Sequence, residues 1–305
     1  MSAHPEDSSS RPAGGAPTRS GAAPAVVGVL GGGRMGAGIA HAFLLAGSRV
    51  TVVERDPGAA AAAGDRVRAS LMQSVERGTA GDRSFAELSA ALATDTDAAA
   101  FADAGLVVEA VPEDLGVKLD ALRRVEAVLG ADAALASNTS SISIDALAAA
   151  LERPTRFLGL HFFNPVPASK LVEIVVGGAT EPALAEAARD WVAAIGKTAV
   201  SVTDSPGFAS SRLGLAIGLE AIRMLEEGVA TAADIDAAMT LGYKHPVGPL
   251  ELTDLVGLDV RLGIAEYLHA ELGDRFAPPA LLRRMVAEGK LGRKSGEGFY
   301  VWGES

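Results

Sequence analysis

Ala25-Val26-Val27-Gly28-Val29-Leu30-Gly31-Gly32-Gly33-Arg34-Met35-Gly36 is the stretch that decides the fold. Its first half is a short apolar run of the kind that forms a buried strand. Gly31, Gly33 and Gly36 follow in the spacing of a dinucleotide-binding turn. Gly31 permits the tight turn, Gly33 lets the backbone approach a pyrophosphate, and Gly36 allows close packing of helix on sheet. Arg34 and Met35, inside the turn, belong with the glycines to the expected cofactor site. Met35 to Ala46 predicts a helix whose first amides face the phosphates, and Gly47 stands where a C-cap glycine would. Arg49-Val50-Thr51-Val52-Val53-Glu54 predicts a second strand ending in an acid, at the offset from Gly36 where an acid binds the ribose hydroxyls. The charge of Glu54 repels a 2′-phosphate, so NAD is expected over NADP, although Arg55 beside it works against that preference. A glycine turn that binds nothing is the alternative, and the ordered strand, turn, helix, strand and acid argue against it.

Outward from this unit, residues 57–80 predict a long Ala-rich helix carrying Arg66, Arg68 and Arg77. Residues 106–110 and 134–137 predict strands, with helical segments around 115–129 and 142–151. Alternating strands and helices imply an α/β fold, a Rossmann-like doubly wound parallel sheet. The pattern shifts near Asp204-Ser205-Pro206-Gly207. Beyond it residues 208–228, 231–240, 253–272 and 278–289 read as helices, with no convincing strand before the last few residues. Thr231 and Asp234 resemble an aspartate version of a capping box. The expected organisation is a disordered tail over 1–24, a nucleotide-binding domain over 25–204 and a helical domain over 205–305.

With 305 residues, 49% of them hydrophobic and 21% charged, the chain can bury a sizeable core, and global disorder is excluded. The net charge of −11 argues against a nucleic-acid binder. Cysteine is absent, so there is no disulfide framework, no thiolate nucleophile and no Cys-ligated zinc. No window has the ~20 consecutive apolar residues of a membrane span, and the polar N-terminal residues lack the apolar stretch of a secretory signal. A cytoplasmic protein without membrane or nucleic-acid partners is expected.

His161-Phe162-Phe163-Asn164-Pro165 follows the apolar run Phe157-Leu158-Gly159-Leu160, which reads as a buried strand. A histidine at a strand end with an acid partner suits proton transfer near neutral pH. Glu173 lies 12 positions on, among Leu171, Val172, Ile174 and Val175. If Glu173 accepts a hydrogen bond from one ring nitrogen, the other is left to take the hydroxyl proton as hydride leaves an alcohol carbon. A hydride acceptor and a base on one chain point to a dehydrogenase. A satisfied core histidine and a solvated acid are the plainer alternatives, and spacing alone does not bring the two side chains together. The polar run Ser137-Asn138-Thr139-Ser140-Ser141 follows a strand and is expected to line the cleft beyond the sheet's carboxyl edge. Ser140 can face a substrate oxygen or the nicotinamide amide while Ser141 or Ser143 caps the helix near Ile142. His4, His41, His245 and His269 read as structural or tail residues, and no metal-ligand spacing occurs.

These residues resemble the L-3-hydroxyacyl-CoA dehydrogenase family, especially its short bacterial 3-hydroxybutyryl-CoA dehydrogenase members. The likeness runs from about Ala25 to Trp302. It includes the glycine turn, Val108-Glu109-Ala110-Val111-Pro112-Glu113, Ser137 to Ser141, His161 to Pro167, Lys170 to Glu173, Ser205 to Phe208, Gly248 to Asp259 and Gly292 to Tyr300. The resemblance implies an all-helical C-terminal dimerisation domain, hence a homodimer, and reversible NAD-linked conversion of an (S)-3-hydroxyacyl-CoA to a 3-oxoacyl-CoA. It implies His161 as base, Glu173 orienting it, Ser140 at the reacting oxygen and Asn164 beside the thioester. Glu113 and Lys118 fall where the family contacts the nicotinamide ribose region, and Ser140 and Asn164 border the same region. Many members carry Asn at the position of Ser211, where it touches the substrate oxygen. Serine reaches less far, and some short bacterial members carry it too, so the departure is not read as inactivation. Arg66 and Arg68 are candidate cations for the CoA phosphates, a solvated helix face being the alternative. The same chemistry on 3-hydroxyadipyl-CoA, a carrier-protein-bound hydroxyacyl group or a sugar acid is the enzyme alternative. A non-catalytic dinucleotide-binding protein is the contrasting one.

Overall fold

The computed structural model describes residues 21–303. The first part of the chain runs β1 (Val26–Leu30), α1 (Arg34–Leu45), β2 (Arg49–Val53), α2 (Pro57–Glu76), α3 (Phe85–Ala90), β3 (Leu92–Asp95), β4 (Leu106–Glu109), α4 (Leu115–Glu126), β5 (Ala134–Ser137), α5 (Ile144–Ala148), β6 (Phe157–Phe162), β7 (Leu171–Val176), α6 (Pro182–Ala194) and β8 (Thr198–Thr203). The second part is helical: α7 (Ser210–Glu226), α8 (Ala232–Ala237), α9 (Pro249–Val256), α10 (Leu258–Leu272) and α11 (Ala280–Ala287).

The eight strands form one sheet in the order β3-β2-β1-β4-β5-β6-β7-β8. From β3 to β6 all pairings are parallel, which is the Rossmann arrangement. The doubly wound sheet is extended beyond this by β7, which pairs antiparallel to β6, and by β8, parallel to β7. The short link 163–170 explains this, since it contains no crossover helix to bring the chain back for parallel pairing.

Side chains leave the strands alternately to two faces. Val27, Val29 and Val108 join Ile39, Phe43, Val67, Leu71, Leu184 and Val192 on one side. Leu30 and Val107 join Phe101, Leu122, Val125, Ile144 and Leu147 on the other. Helix starts are set by side chains: Asp56 caps α2 ahead of Pro57, Ser84 and Glu87 form a capping box on α3, and Asp114 caps α4. The helical domain has its own core, including Leu215, Leu219, Ile222, Leu250, Leu258 and Leu268.

Several boundaries differ from expectation for local reasons. The helix expected over 57–80 ends at Glu76, before Gly78 at φ 68°. The helix expected over 253–272 is two, α9 and α10, because Pro249 starts the first and Gly257 at φ 106° breaks the chain between them. Thr231 caps α8 as read, bonding the Asp234 amide and carboxylate. Of the span expected to be a tail, residues 1–20 lie outside the described residues. Residues 21–24 are held against the domain, with Ala23 packed on the core and the Pro24 carbonyl accepting from the Ser48 hydroxyl at 2.7 Å. His41 is buried in α1 against Ser74 of α2 (2.8 Å). Burial, helped by the charge of Lys197, lowers its pKa to about 4, so it is a neutral packing residue at ordinary pH. Among the described residues no helix is long and apolar enough to cross a membrane.

Candidate active site

His161 and Glu173 are direct partners across the antiparallel β6–β7 pair. Both side chains therefore leave the same face of the sheet, and His161 Nδ1 lies 2.8 Å from Glu173 Oε2. An ionised carboxylate can only accept, so Nδ1 carries the proton and Nε2 is the free acceptor. His161 is 4% exposed, and its ring lies against the rings of Phe163 (4.6 Å) and Phe208 (5.7 Å). Glu173 is buried and takes three further donors from the start of α7. The amides of Ala209 (3.2 Å) and Ser210 (2.8 Å) reach Oε1, and the Ser210 hydroxyl reaches Oε2 at 2.5 Å. Burial pushes its pKa up, but hydrogen bonds from His161 and Ser210 outweigh that and hold the carboxyl below its usual range. The base partner thus remains an anion at neutral pH.

The glycine turn joins the end of β1 to α1 at the carboxyl edge of the sheet. Gly31 adopts φ 91°, a conformation that favours glycine. A Cβ on Gly36 would collide with the Gly31 carbonyl oxygen, so helix and turn approach as closely as this spacing expects. Over Gly33 there is open space, and α1 has no side-chain cap, which leaves its first amides directed at that space. Such a cradle fits a dinucleotide pyrophosphate. Glu54 accepts the Gly32 amide at 2.7 Å, which fixes the acid beside the turn, while Arg55 points to Asp56 (3.1 Å). Gly36→Ala is expected to overpack this contact by about 1–3 kcal/mol. NADH affinity should fall about tenfold in a fluorescence titration, and an unchanged dissociation constant would refute the packing argument.

A buried polar network occupies the ends of β4 and β5. Lys118 of α4 is 1% exposed, with its ammonium 2.7 Å from Glu109 Oε1 and 3.3 Å from Glu113 Oε2. Ser137 donates to Glu109 Oε2 at 2.5 Å. Glu113 Oε1 collects the Thr139 hydroxyl (2.5 Å), the Ser140 amide (3.0 Å) and both the amide and hydroxyl of Ser141. Burial pushes the Glu113 carboxyl up, while Lys118 and these donors bring it below the usual range. The polar loop is therefore shaped by charges on α4 and after β4. Ser143, not Ser141, caps α5, and Thr139 accepts the Ile142 amide.

The sequence of residues 26–205 matches the family model described as 3-hydroxyacyl-CoA dehydrogenase, NAD binding domain, and residues 207–302 match its C-terminal domain. The chain belongs to the 3-hydroxyacyl-CoA dehydrogenase family. It is an NAD-dependent dehydrogenase of that family. A probable 3-hydroxybutyryl-CoA dehydrogenase of Deinococcus radiodurans is 43% identical over 90% of this chain and 99% of its own length. The human mitochondrial hydroxyacyl-coenzyme A dehydrogenase is 40% identical over 90% of each chain. The crystal structure of (S)-3-hydroxybutyryl-CoA dehydrogenase from Ralstonia eutropha superposes with a TM-score of 0.88 at 37% identity, covering 92% of this chain and 100% of that one.

Among the residues that the family resemblance singles out, the structure joins His161 with Glu173, and Glu113 with Lys118 and the Ser140 loop. Asn164 is exposed after β6, joined to Pro165 by a cis peptide, and like the side chains of Ser140 and Ser211 it makes no side-chain hydrogen bond to the described residues. The candidate CoA cations divide. Arg66 turns to the Gly32 carbonyl (3.0 Å) on the cofactor turn, and Arg68 lies against Asp65 (3.4 Å) on the exposed face of α2. Glu109 and Ser210 were not among the expected site residues, though an acid closing the apolar run Leu106-Val107-Val108 was a usable signal for the first. Among the described residues no group of His, Asp and Glu could hold a metal ion.

Proposed function

We propose that this dehydrogenase interconverts short-chain (S)-3-hydroxyacyl-CoA and 3-oxoacyl-CoA, with 3-hydroxybutyryl-CoA as the preferred substrate and His161 as the general acid–base. The observation that carries this is the buried His161–Glu173 pair, which leaves Nε2 as an acceptor facing away from the acid. NAD, when bound, supplies the acceptor for the hydride leaving C3. As that hydride leaves, Nε2 of His161 takes the hydroxyl proton, and the C3–O bond becomes a carbonyl. Glu173 stabilises the imidazolium that results. In reduction the ring returns the proton to the same oxygen. Ser140 contacts that oxygen, Ser211 reaches it directly or through a water, and Asn164 shapes the site beside the thioester. Gly31, Gly33, Arg34, Met35, Gly36 and Glu54 hold the pyrophosphate and adenosine ribose, with Glu113 and Lys118 nearer the nicotinamide. Support for the substrate comes from the names of the relatives at about 40% identity. The test is NADH oxidation with acetoacetyl-CoA beside NADPH, adipyl-type and carrier-bound 3-oxoacyl thioesters. Preference for acetoacetyl-CoA supports the reading, and turnover confined to another thioester overturns the substrate.

We further propose that the helical domain forms a homodimer. Leu213 and Ile217 of α7 and Leu241 and Tyr243 after α8 are exposed, and a groove of about 500 Å³ lined by Ile217, Met224, Met239 and Tyr243 lies on this face, sharing no residue with the His161 site. An apolar stripe at i, i+4 and i+11 on one helix suits burial against a second copy. Sedimentation should give twice the 31.0 kDa chain mass, and Ile217→Asp should shift it to the monomer. A wild-type monomer would remove the proposal.

A further inference from the structure

We propose that Ser210 is a positioning residue for the His161–Glu173 pair, its hydroxyl sharing Oε2 of the carboxylate with the histidine. This rests on His161 being the base. An ionised carboxylate offers about four acceptor sites. Here four donors fill them: His161 Nδ1 and Ser210 Oγ on Oε2, and the Ala209 and Ser210 amides on Oε1. The hydroxyl contact of 2.5 Å is in the range of charge-assisted O–H···O⁻ bonds, stronger than neutral ones. Two donors on one oxygen compete for the same negative charge. The Ser210 hydroxyl therefore moderates the pull of Glu173 on the ring proton and prevents the carboxylate from turning away from the ring. Ser211, one residue on, is rotated by about 100° around the helix and makes no such bond.

Among the described residues, the neighbouring charged groups are turned elsewhere. Arg212 of α7 turns to Ser205 at 3.3 Å, Lys197 before β8 is spent on the Val166 and Ser169 carbonyls, Asp204 takes Ser143, and Lys170 before β7 is exposed. The rings of Phe163 and Phe208 lie against the imidazole itself.

The test compares wild type, Ser210→Ala and Ser210→Thr. The first readout is the His161 Nδ1–H proton resonance in the protein without substrate. It should move downfield in the alanine variant, because the ring proton gains the whole of Oε2, and return in the threonine variant. The second is the pH profile of kcat/KM in the oxidation direction. Loss of the donor leaves Glu173 more basic, so the acid limb should move up by about half a pH unit, a roughly threefold loss of rate below the limb. A purely structural serine would lower rate or stability without moving either readout. An alanine variant with both readouts unchanged overturns the proposal. If the alanine variant does not fold, Ser210→Cys, a weak donor of similar size, must show the same two shifts. His161→Gln separates the two readings: if it keeps its activity, the general-base reading fails, whereas loss of activity there with no shift at Ser210 defeats this inference alone.

Discussion

His161→Gln is expected to lower kcat for acetoacetyl-CoA reduction by about a hundred- to ten-thousandfold, with the NADH dissociation constant close to wild type. The glutamine amide can still donate to Glu173, so the substitution does not strand the buried carboxylate that the histidine satisfies. What it removes is the ring nitrogen that takes and returns the hydroxyl proton. The cofactor turn lies at the end of β1, three strands away in the sheet, and shares no hydrogen bond with the ring. Pre-steady-state hydride transfer, read beside NADH binding, is the measurement. A variant that keeps more than about a tenth of the wild-type rate is incompatible with general-acid help of ordinary size, and His161 would then be a packing residue against two phenylalanines.

Lys118→Met is expected to destabilise the nucleotide-binding domain by about 3–5 kcal/mol, a large share of the 5–15 kcal/mol typical of a folded domain. The methionine fills the volume of the lysine stem. It leaves the carboxylate of Glu109, fully buried beneath the loop, without its cation. The cost comes from the stranded charge more than from the lost attraction. Lys118→Met combined with Glu109→Gln should therefore recover part of the loss, since the stranded charge is removed while the amide oxygen can still accept from the Ser137 hydroxyl or the Val111 amide. Urea unfolding of both variants beside wild type tests this. A single variant within about 1 kcal/mol of wild type would place the pair with ordinary surface salt bridges. The polar loop supplies a second signal, because Glu113 holds its amides while itself neighbouring Lys118.

The first β-α-β unit was readable because glycines punctuate it: Gly31 and Gly47 take positive φ at the two ends of α1. β3 and β8 do not stand out as strands in the sequence. β3 has only the residues Leu92-Ala93-Thr94-Asp95, and β8, at the sheet edge, mixes Thr, Ser and Ala with two valines and stays largely accessible. The break at Gly257 was hidden by helix-forming residues on both sides. In the site, His161 and Glu173 stand out as polar residues in apolar runs, but spacing along the chain does not show that they meet; the antiparallel β6–β7 register does. Family resemblance directed attention to Ser211, whereas the bond to the dyad is made by Ser210, a distinction that depends on helix rotation. Glu109 carries no legible role in the sequence, because its partners Ser137 and Lys118 come from a neighbouring strand and from the helix that follows.

The antiparallel pairing of β6 with β7 also says which insertions this enzyme could tolerate. The 12 positions between His161 and Glu173 have no chemical meaning in themselves; they are the length of two strand ends and the connecting link 163–170. Extra residues in the link leave the cross-strand partnership untouched, because pairing is set by what lies opposite what. A single residue added within β7, between Leu171 and Glu173, moves the carboxylate to the opposite face of the sheet, away from the ring and from the first turn of α7. Parity along the strand, not distance along the chain, is the quantity that the reaction constrains.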